Sequence, residues 1–224
     1  LCSFDCIYCE CGWGKPGAKP RFNSRETVRR LLREKLTEMV AAGTPPDVIT
    51  FAGNGEPTMH PEFGGVIDDT IAVRDELCPS AKISVRSNAT MIGRETVREA
   101  LLKADNNILK LDSAFDETVR LVDRPKGAYS VRQTVEAMKL FDGRLIVQPM
   151  FLRGTLEGRQ VDNTTEREVA AWLSLIEEIA PSSVMVYTID RDTPADDLHK
   201  VSVEELRRIA ERVERLGIPC SVAG

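Results

Sequence analysis

Apolar residues follow two alternating rhythms along this chain. Val28, Leu31, Leu32, Leu36, Met39 and Val40 recur with helical period behind an Asn23/Glu26 pair spaced as a helix start, and Gly43 closes the run. VITFA (48–52) reads as a buried strand, which leads through a glycine-rich turn into a helix from about Glu62 to Leu77. The alternation repeats in KISVRSN and RETVREALLKA, then in NILKLDS and AYSVRQTVEAMKLF, before the strand RLIVQPMFL. The next helix opens on Thr165/Glu168, read as a capping box, and stops before Pro181. SVMVYTID is the last clear strand. A final helix opens on a second capping box, Ser202/Glu205, and closes on Gly217, and IPCSV adds a short terminal strand.

Strands separated by single helices imply parallel βαβ units with right-handed crossovers. Five strands are visible, and a sixth is expected before or under the first cysteine. The prediction is an α/β fold, a partial (β/α)6 barrel or curved open sheet, in one domain over residues 1–224 with its first strand missing from the chain. Ligands of such folds sit at the carboxyl ends of the strands. The cysteine-rich stretch LCSFDCIYCEC would follow the first strand and GNGEPT follows the second, so both fall on one rim.

Composition narrows the chemistry. A net charge of −5 weighs against a broad phosphate-binding surface and so against nucleic acid. No apolar run is long enough to span a bilayer. Of six cysteines, Cys2, Cys6, Cys9 and Cys11 crowd one end, while Cys78 and Cys220 stand alone and read as small buried hydrophobes. Crowding argues for metal or redox chemistry in a reducing cytoplasm rather than for a disulfide framework.

Cys2, Cys6 and Cys9 are spaced C-x3-C-x2-C. Three thiolates on one loop can each hold one iron of a cubane 4Fe–4S cluster and leave the fourth iron open. The competing reading is a zinc site with Cys11 as fourth ligand, since thiolates suit both metals. CSFDCIYCECG, FAGNGEPTMHPEF and VYTIDRDTPADDL together resemble the radical S-adenosylmethionine (radical SAM) superfamily, most of all its wyosine-synthase-like and "Fe–S oxidoreductase" branch. The resemblance implies Cys2, Cys6 and Cys9 as cluster ligands and Tyr8 as the aromatic residue packed on the adenine of SAM. It implies Asn54, Gly55, Glu56 and Pro57 as the turn that binds the methionine amino group, with Asn54 where glycine is usual.

The family also places polar strand-end residues on ribose and carboxylate, which here points to Ser87, Asn88, Lys110, Asp112 and Gln148. Lys110 and Asp112 share one face of a strand, and a salt bridge inside the barrel is the other reading of that pair. The implied chemistry is electron transfer from the reduced cluster to SAM, giving a 5′-deoxyadenosyl radical that takes hydrogen from a substrate. The partner implied is a one-electron donor such as flavodoxin or ferredoxin; the substrate is a small molecule, a protein or a tRNA. The alternative is an iron–sulfur electron carrier or metal-binding module, for which GNGEPT has no use. RLVDRPKG (120–127) reads as a basic loop suited to an anionic group, Arg191 with Asp190 and Asp192 as a substrate or SAM contact on the rim, Trp13 as a shield for the cluster, and His60 and His199 as turn or surface residues.

Overall fold

The computed structural model describes residues 1–9 and 22–223. Helix α1 (Arg25–Ala41) precedes β1 (Val48–Phe51), a 3-10 turn (Pro57–Met59), α2 (Phe63–Leu77), β2 (Lys82–Ser87), α3 (Glu95–Leu101) and β3 (Asn106–Lys110). Then come α4 (Asp116–Val122), α5 (Val131–Lys139), β4 (Ile146–Gln148), β5 (Met150–Phe151), β6 (Arg153–Leu156), β7 (Arg159–Asp162) and α6 (Glu166–Ile179). The chain continues through β8 (Ser183–Thr188), β9 (Leu198–His199), α7 (Val203–Glu214) and β10 (Cys220–Ala223). The main sheet is ordered β1-β2-β3-β4-β8-β10 with β5 also on β8, every pairing being parallel. Among the described residues β1 and β10 do not pair, so the sheet is an open one.

The alternation of side chains explains how the sheet is used. Val85, Leu109, Leu111, Val147, Phe151, Val184 and Val186 share one core with Ile67 of α2, Leu101 of α3, Met138 of α5, Trp172 of α6 and Leu206 of α7. Burying this one face against the helices supplies the hydrophobic drive. It leaves Lys110 and Gln148, paired side by side in register, on the opposite face.

The structure departs from the sequence reading in several places. Ser24, not Asn23, caps α1, its hydroxyl accepting from the Thr27 N–H. Leu36 is the buried residue of that helix, while Leu31 and Val40 remain exposed, because α1 lies at the end of the sheet against α2. RLIVQPMFL is two strands, since Pro149 has no N–H to give the ladder. Thr165 caps α6, but the Glu168 carboxylate turns inward to accept the hydroxyls of Ser113 and Thr118 at 2.6 Å each, so half of that box is made. Both halves form at Ser202 and Glu205.

Helix α4 and an antiparallel sheet, β7-β6-β9, were not foreseen. The β6–β7 hairpin turns on Glu157 and Gly158, both at positive φ as a two-residue hairpin loop requires. A Cβ on Gly154 would overlap the Asp197 carbonyl, so glycine lets β6 approach β9. This small sheet closes over a second apolar cluster, in which Ile7 of the cysteine loop meets Val122, Met150, Leu152, Leu156, Val161, Ile189 and Ala195. Among the described residues no helix is long and apolar enough to cross a membrane.

Candidate cluster and cofactor site

Two apolar anchors, Phe4 and Ile7, fix the cysteine loop. Both are buried, and Phe4 packs edge-on against Tyr129, while Cys2, Cys6 and Cys9 stay partly exposed. The end of α4 and the segment after it splint the loop backbone: Asp5 N donates to Asp123 O, Ile7 N to Val122 O, and Lys126 N to Ser3 O, at 2.8 to 3.0 Å. Ala195 N reaches Ile7 O from the other side, and Cys9 N turns back onto Cys6 O. None of the three thiols is in a disulfide.

The GNGEP turn meets the start of this loop. Glu56 N donates to Leu1 O at 2.8 Å, and a Cβ on Gly55, which sits at φ +141, would overlap that same carbonyl. Glycine is therefore required for the close approach. Glu56 is 3% exposed, and its carboxylate is met by four donors: Thr58 N (3.0 Å), Thr58 Oγ1 (2.5 Å), Ser87 Oγ (2.8 Å) and Asn88 N (2.7 Å). Glu56 thus caps the 3-10 turn that Pro57 begins and joins it to the end of β2. A 340 Å³ cleft borders the turn, lined by Leu1, Phe22, Thr50, Gly55, Pro57 and Phe63 among others.

The far end of the loop meets a group of charges. Lys110 Nζ lies 2.5 Å from Asp112 and 3.4 Å from Asp123, with both carboxylates buried. The Tyr8 hydroxyl donates to Asp112 at 2.7 Å and lies 3.1 Å from Asp123, and Lys110 Nζ stands 4.6 Å from the centre of the Tyr8 ring. Cys6 Sγ is 3.5 Å from the Asp123 carboxylate. Met150 N donates to Asp112, and Asn163 Nδ2 donates to the backbone oxygens of Asp112 and Met150.

One ammonium against two buried carboxylates leaves an excess negative charge. Burial and then Asp112 push Asp123 up to about 8, with Lys110 pulling the other way. Burial alone would lower Lys110, but Asp112 and Asp123 hold it well above the ordinary lysine value. Burial, then Asp123, push the Cys6 thiol well up, and burial also raises Cys2. A bound metal would displace the protons of these thiols into solvent, because its positive charge reverses the local balance.

The predicted residues thus form two groups about one loop. Asn54, Gly55, Glu56, Pro57, Ser87 and Asn88 gather at Leu1–Ser3, while Tyr8, Lys110 and Asp112 gather at Cys6, with Gln148 beside Lys110. The Lys110/Asp112 pair is a salt bridge in the interior. Asp123 was missed: it lies in the stretch read as a basic loop, and its one signal was an acid at the end of the apolar run LV. Asn163 carried no signal. Cys11 and Trp13 lie outside the described residues. His60 is a turn residue, with Nε2 on Asn23 O and Nδ1 accepting from Glu62 N; His199 pairs with Asp197, and Asp190 with Lys200, at the surface. Cys78 is buried and Cys220 partly so.

Three thiols on one splinted loop fit an iron–sulfur cluster, in which each thiolate binds a different iron. Among the described residues no three Cys, His, Asp or Glu side chains converge on a point as ligands of a single ion would.

The family model of the Radical SAM superfamily matches residues 1–152. A UPF0026 protein of Synechocystis sp. is 29% identical over 199 residues, covering 86% of this chain and 68% of that protein. A Brachyspira hyodysenteriae protein named GTPase Obg is 24% identical over 217 residues, which are 95% of this chain and 30% of that protein. The structure of a radical SAM methyltransferase from Sphaerobacter thermophilus superposes with a TM-score of 0.73 at 16% identity, covering 99% of this chain and 63% of that one. That last likeness is one of fold. The chain therefore spans from under a third to about two thirds of the proteins it matches.

Proposed function

This chain belongs to the radical SAM superfamily, whose members use a 4Fe–4S cluster and SAM, and from that premise we propose that Cys2, Cys6 and Cys9 hold the cluster in an enzyme that cleaves SAM reductively. The observation that carries the reading is the joining of two stretches at one rim: the thiol loop and the GNGEP turn share the Glu56 N to Leu1 O bond. An electron carrier needs the first stretch and has no use for the second. When bound, the cluster supplies one electron to the sulfonium of SAM, opening a carbon–sulfur bond for hydrogen abstraction from a substrate.

The residues of the chain do the positioning. Glu56, held by its four donors, fixes the turn whose polar groups we assign to the amino group of SAM. Tyr8, its hydroxyl fixed on the acids of the ion group, is the residue that would pack on the adenine of SAM. Gln148 and Lys110 present polar atoms on the face of the sheet opposite the main core. Ile7, Leu152 and Ala195 keep water from the inner side of the loop. A flavodoxin or ferredoxin is the proposed electron donor, and the substrate is a small molecule, a protein or a tRNA.

Anaerobic reconstitution tests this first, with about four irons and four sulfides per chain as the expected content. Reduced protein with SAM then releases 5′-deoxyadenosine and methionine, and Cys6→Ala abolishes the release. One tightly held zinc with no bindable iron sinks the proposal. A reduced cluster that yields no 5′-deoxyadenosine leaves the electron carrier as the better reading.

A further inference from the structure

The hydrogen bonds around Asn88 can be assigned a direction. Its Oδ1 accepts from Thr90 N at 3.1 Å and from Thr90 Oγ1 at 2.8 Å, which uses the single Thr90 hydroxyl hydrogen. Ser3 Oγ lies 2.6 Å from Thr90 Oγ1 and must therefore be the donor in that pair. Ser3 Oγ in turn accepts from Asn88 Nδ2 at 2.9 Å. The bonds close a ring, and a flipped amide would set its NH2 against the Thr90 N–H. One hydrogen of Nδ2 is left, and Cys2 Sγ lies 3.5 Å away.

Resting on the reading of Cys2 as a cluster ligand, we propose that Asn88 is a positioning residue that donates an N–H···S hydrogen bond to the Cys2 thiolate and thereby raises the reduction potential of the cluster. This is a different task from contacting SAM. Asn88 is 8% exposed, both polar atoms of its side chain are engaged, and its backbone N–H is held by Glu56 Oε2 at 2.7 Å. Strand β2 thus brings a fixed donor to the sulfur. A donor on a thiolate draws electron density from the metal and favours the reduced state, in which the cluster carries one more negative charge. Cys6 has the reverse surroundings, with a carboxylate at its sulfur.

The test measures the midpoint potential of the reconstituted cluster, without SAM, by an EPR-monitored redox titration with iron content determined in parallel. Asn88→Ala is expected to keep its iron and titrate at a more negative potential. Asn88→Asp, similar in shape but with oxygen in place of the donor, is expected to shift further the same way. Ser3→Ala breaks the ring while leaving the donor on Cys2 and is expected to titrate as the wild type does. An unchanged potential in both Asn88 variants overturns the proposal, as does an equal shift in Ser3→Ala. It is equally overturned if both Asn88 variants lose iron that Ser3→Ala retains. Wild-type protein that binds no cluster overturns the ligand assignment itself, which separates that failure from this one.

Discussion

The cysteine loop is held at its two ends by unlike chemistry. At Leu1–Ser3 one buried carboxylate, Glu56, is ringed by four donors that carry no charge. At Asp5–Tyr8 two buried carboxylates share a single ammonium, with the Tyr8 hydroxyl between them. In the first group each donor stabilises the charge in part, so the loss of one leaves the rest in place. In the second a proton held on Asp123 makes up for the missing positive charge near neutral pH, and removing Lys110 leaves Asp112 an unpaired ion in a dry site. The two ends should therefore fail differently, one by degrees and the other at once.

Lys110→Met is the sharpest way to break the comparison. It leaves Asp112 and Asp123 buried, close together and without a cation, and is expected to cost about 3–5 kcal/mol in urea unfolding of the cluster-free protein. The same variant carrying Asp123→Asn should regain part of that loss. A Lys110→Met protein as stable as the wild type would mean that the two acids do not depend on the ammonium.

Acidity gives a second separation. The folded protein holds Asp123 at about 8, against about 3.9 for an unfolded aspartate. Its folded form therefore binds a proton more tightly than its unfolded form. The stability this contributes is complete below about pH 4 and is lost as pH rises toward 8. Cluster-free Asp123→Asn should show a flatter stability profile across that window, measured by urea unfolding at a series of pH values. Parallel profiles for variant and wild type would place the titration elsewhere.

The two ends also differ in how legible they were. The Leu1–Ser3 group is built from contiguous words, GNGEP and SNAT, whose glycines and acid state their backbone needs locally. The Cys6 group depends on Asp123, which is one acid among basic neighbours and reaches Cys6 because α4 returns to the loop. That helix is seven residues long with two buried side chains, too short for a periodic signal. The β6–β7 hairpin had a signal that was passed over: glycine in a two-residue turn between alternating short runs, RGTL and RQVD. Glu168 stood at the spacing of a capping box, but Ser113 and Thr118, some fifty residues away, hold its carboxylate inward. Strand order and the shared rim were readable because they follow from connectivity. Charge groups assembled across a hundred residues were not.

Glu56→Ala tests the gradual end by removing its centre. Ser87 Oγ, Thr58 Oγ1 and the Thr58 and Asn88 N–H groups would all lose their acceptor, at a cost of about 2–3 kcal/mol in the same unfolding assay. Glu56→Gln should cost less, since its carbonyl can still accept from Thr58 and Ser87 while its NH2 faces the Asn88 N–H. Equal losses for the two variants would mean that charge, and not the count of acceptors, holds this end.

Ser87→Ala sets the lower limit of the comparison. Its hydroxyl donates to Glu56 Oε1 at 2.8 Å and accepts from Ala89 N at 3.1 Å. With the hydroxyl gone, Glu56 keeps three donors, so the expected loss is about 1 kcal/mol, near the net worth of one hydrogen bond. A double-mutant cycle with Glu56→Ala separates this from an effect on β2 alone. If the hydroxyl acts through Glu56, Ser87→Ala should cost much less in the Glu56→Ala background than in the wild type, because its acceptor is already absent. Additive losses would mean that Ser87 serves only its own turn through Ala89. A loss as large as that of Lys110→Met would end the contrast itself, because one neutral donor would then weigh as much as the single cation of the ionic group.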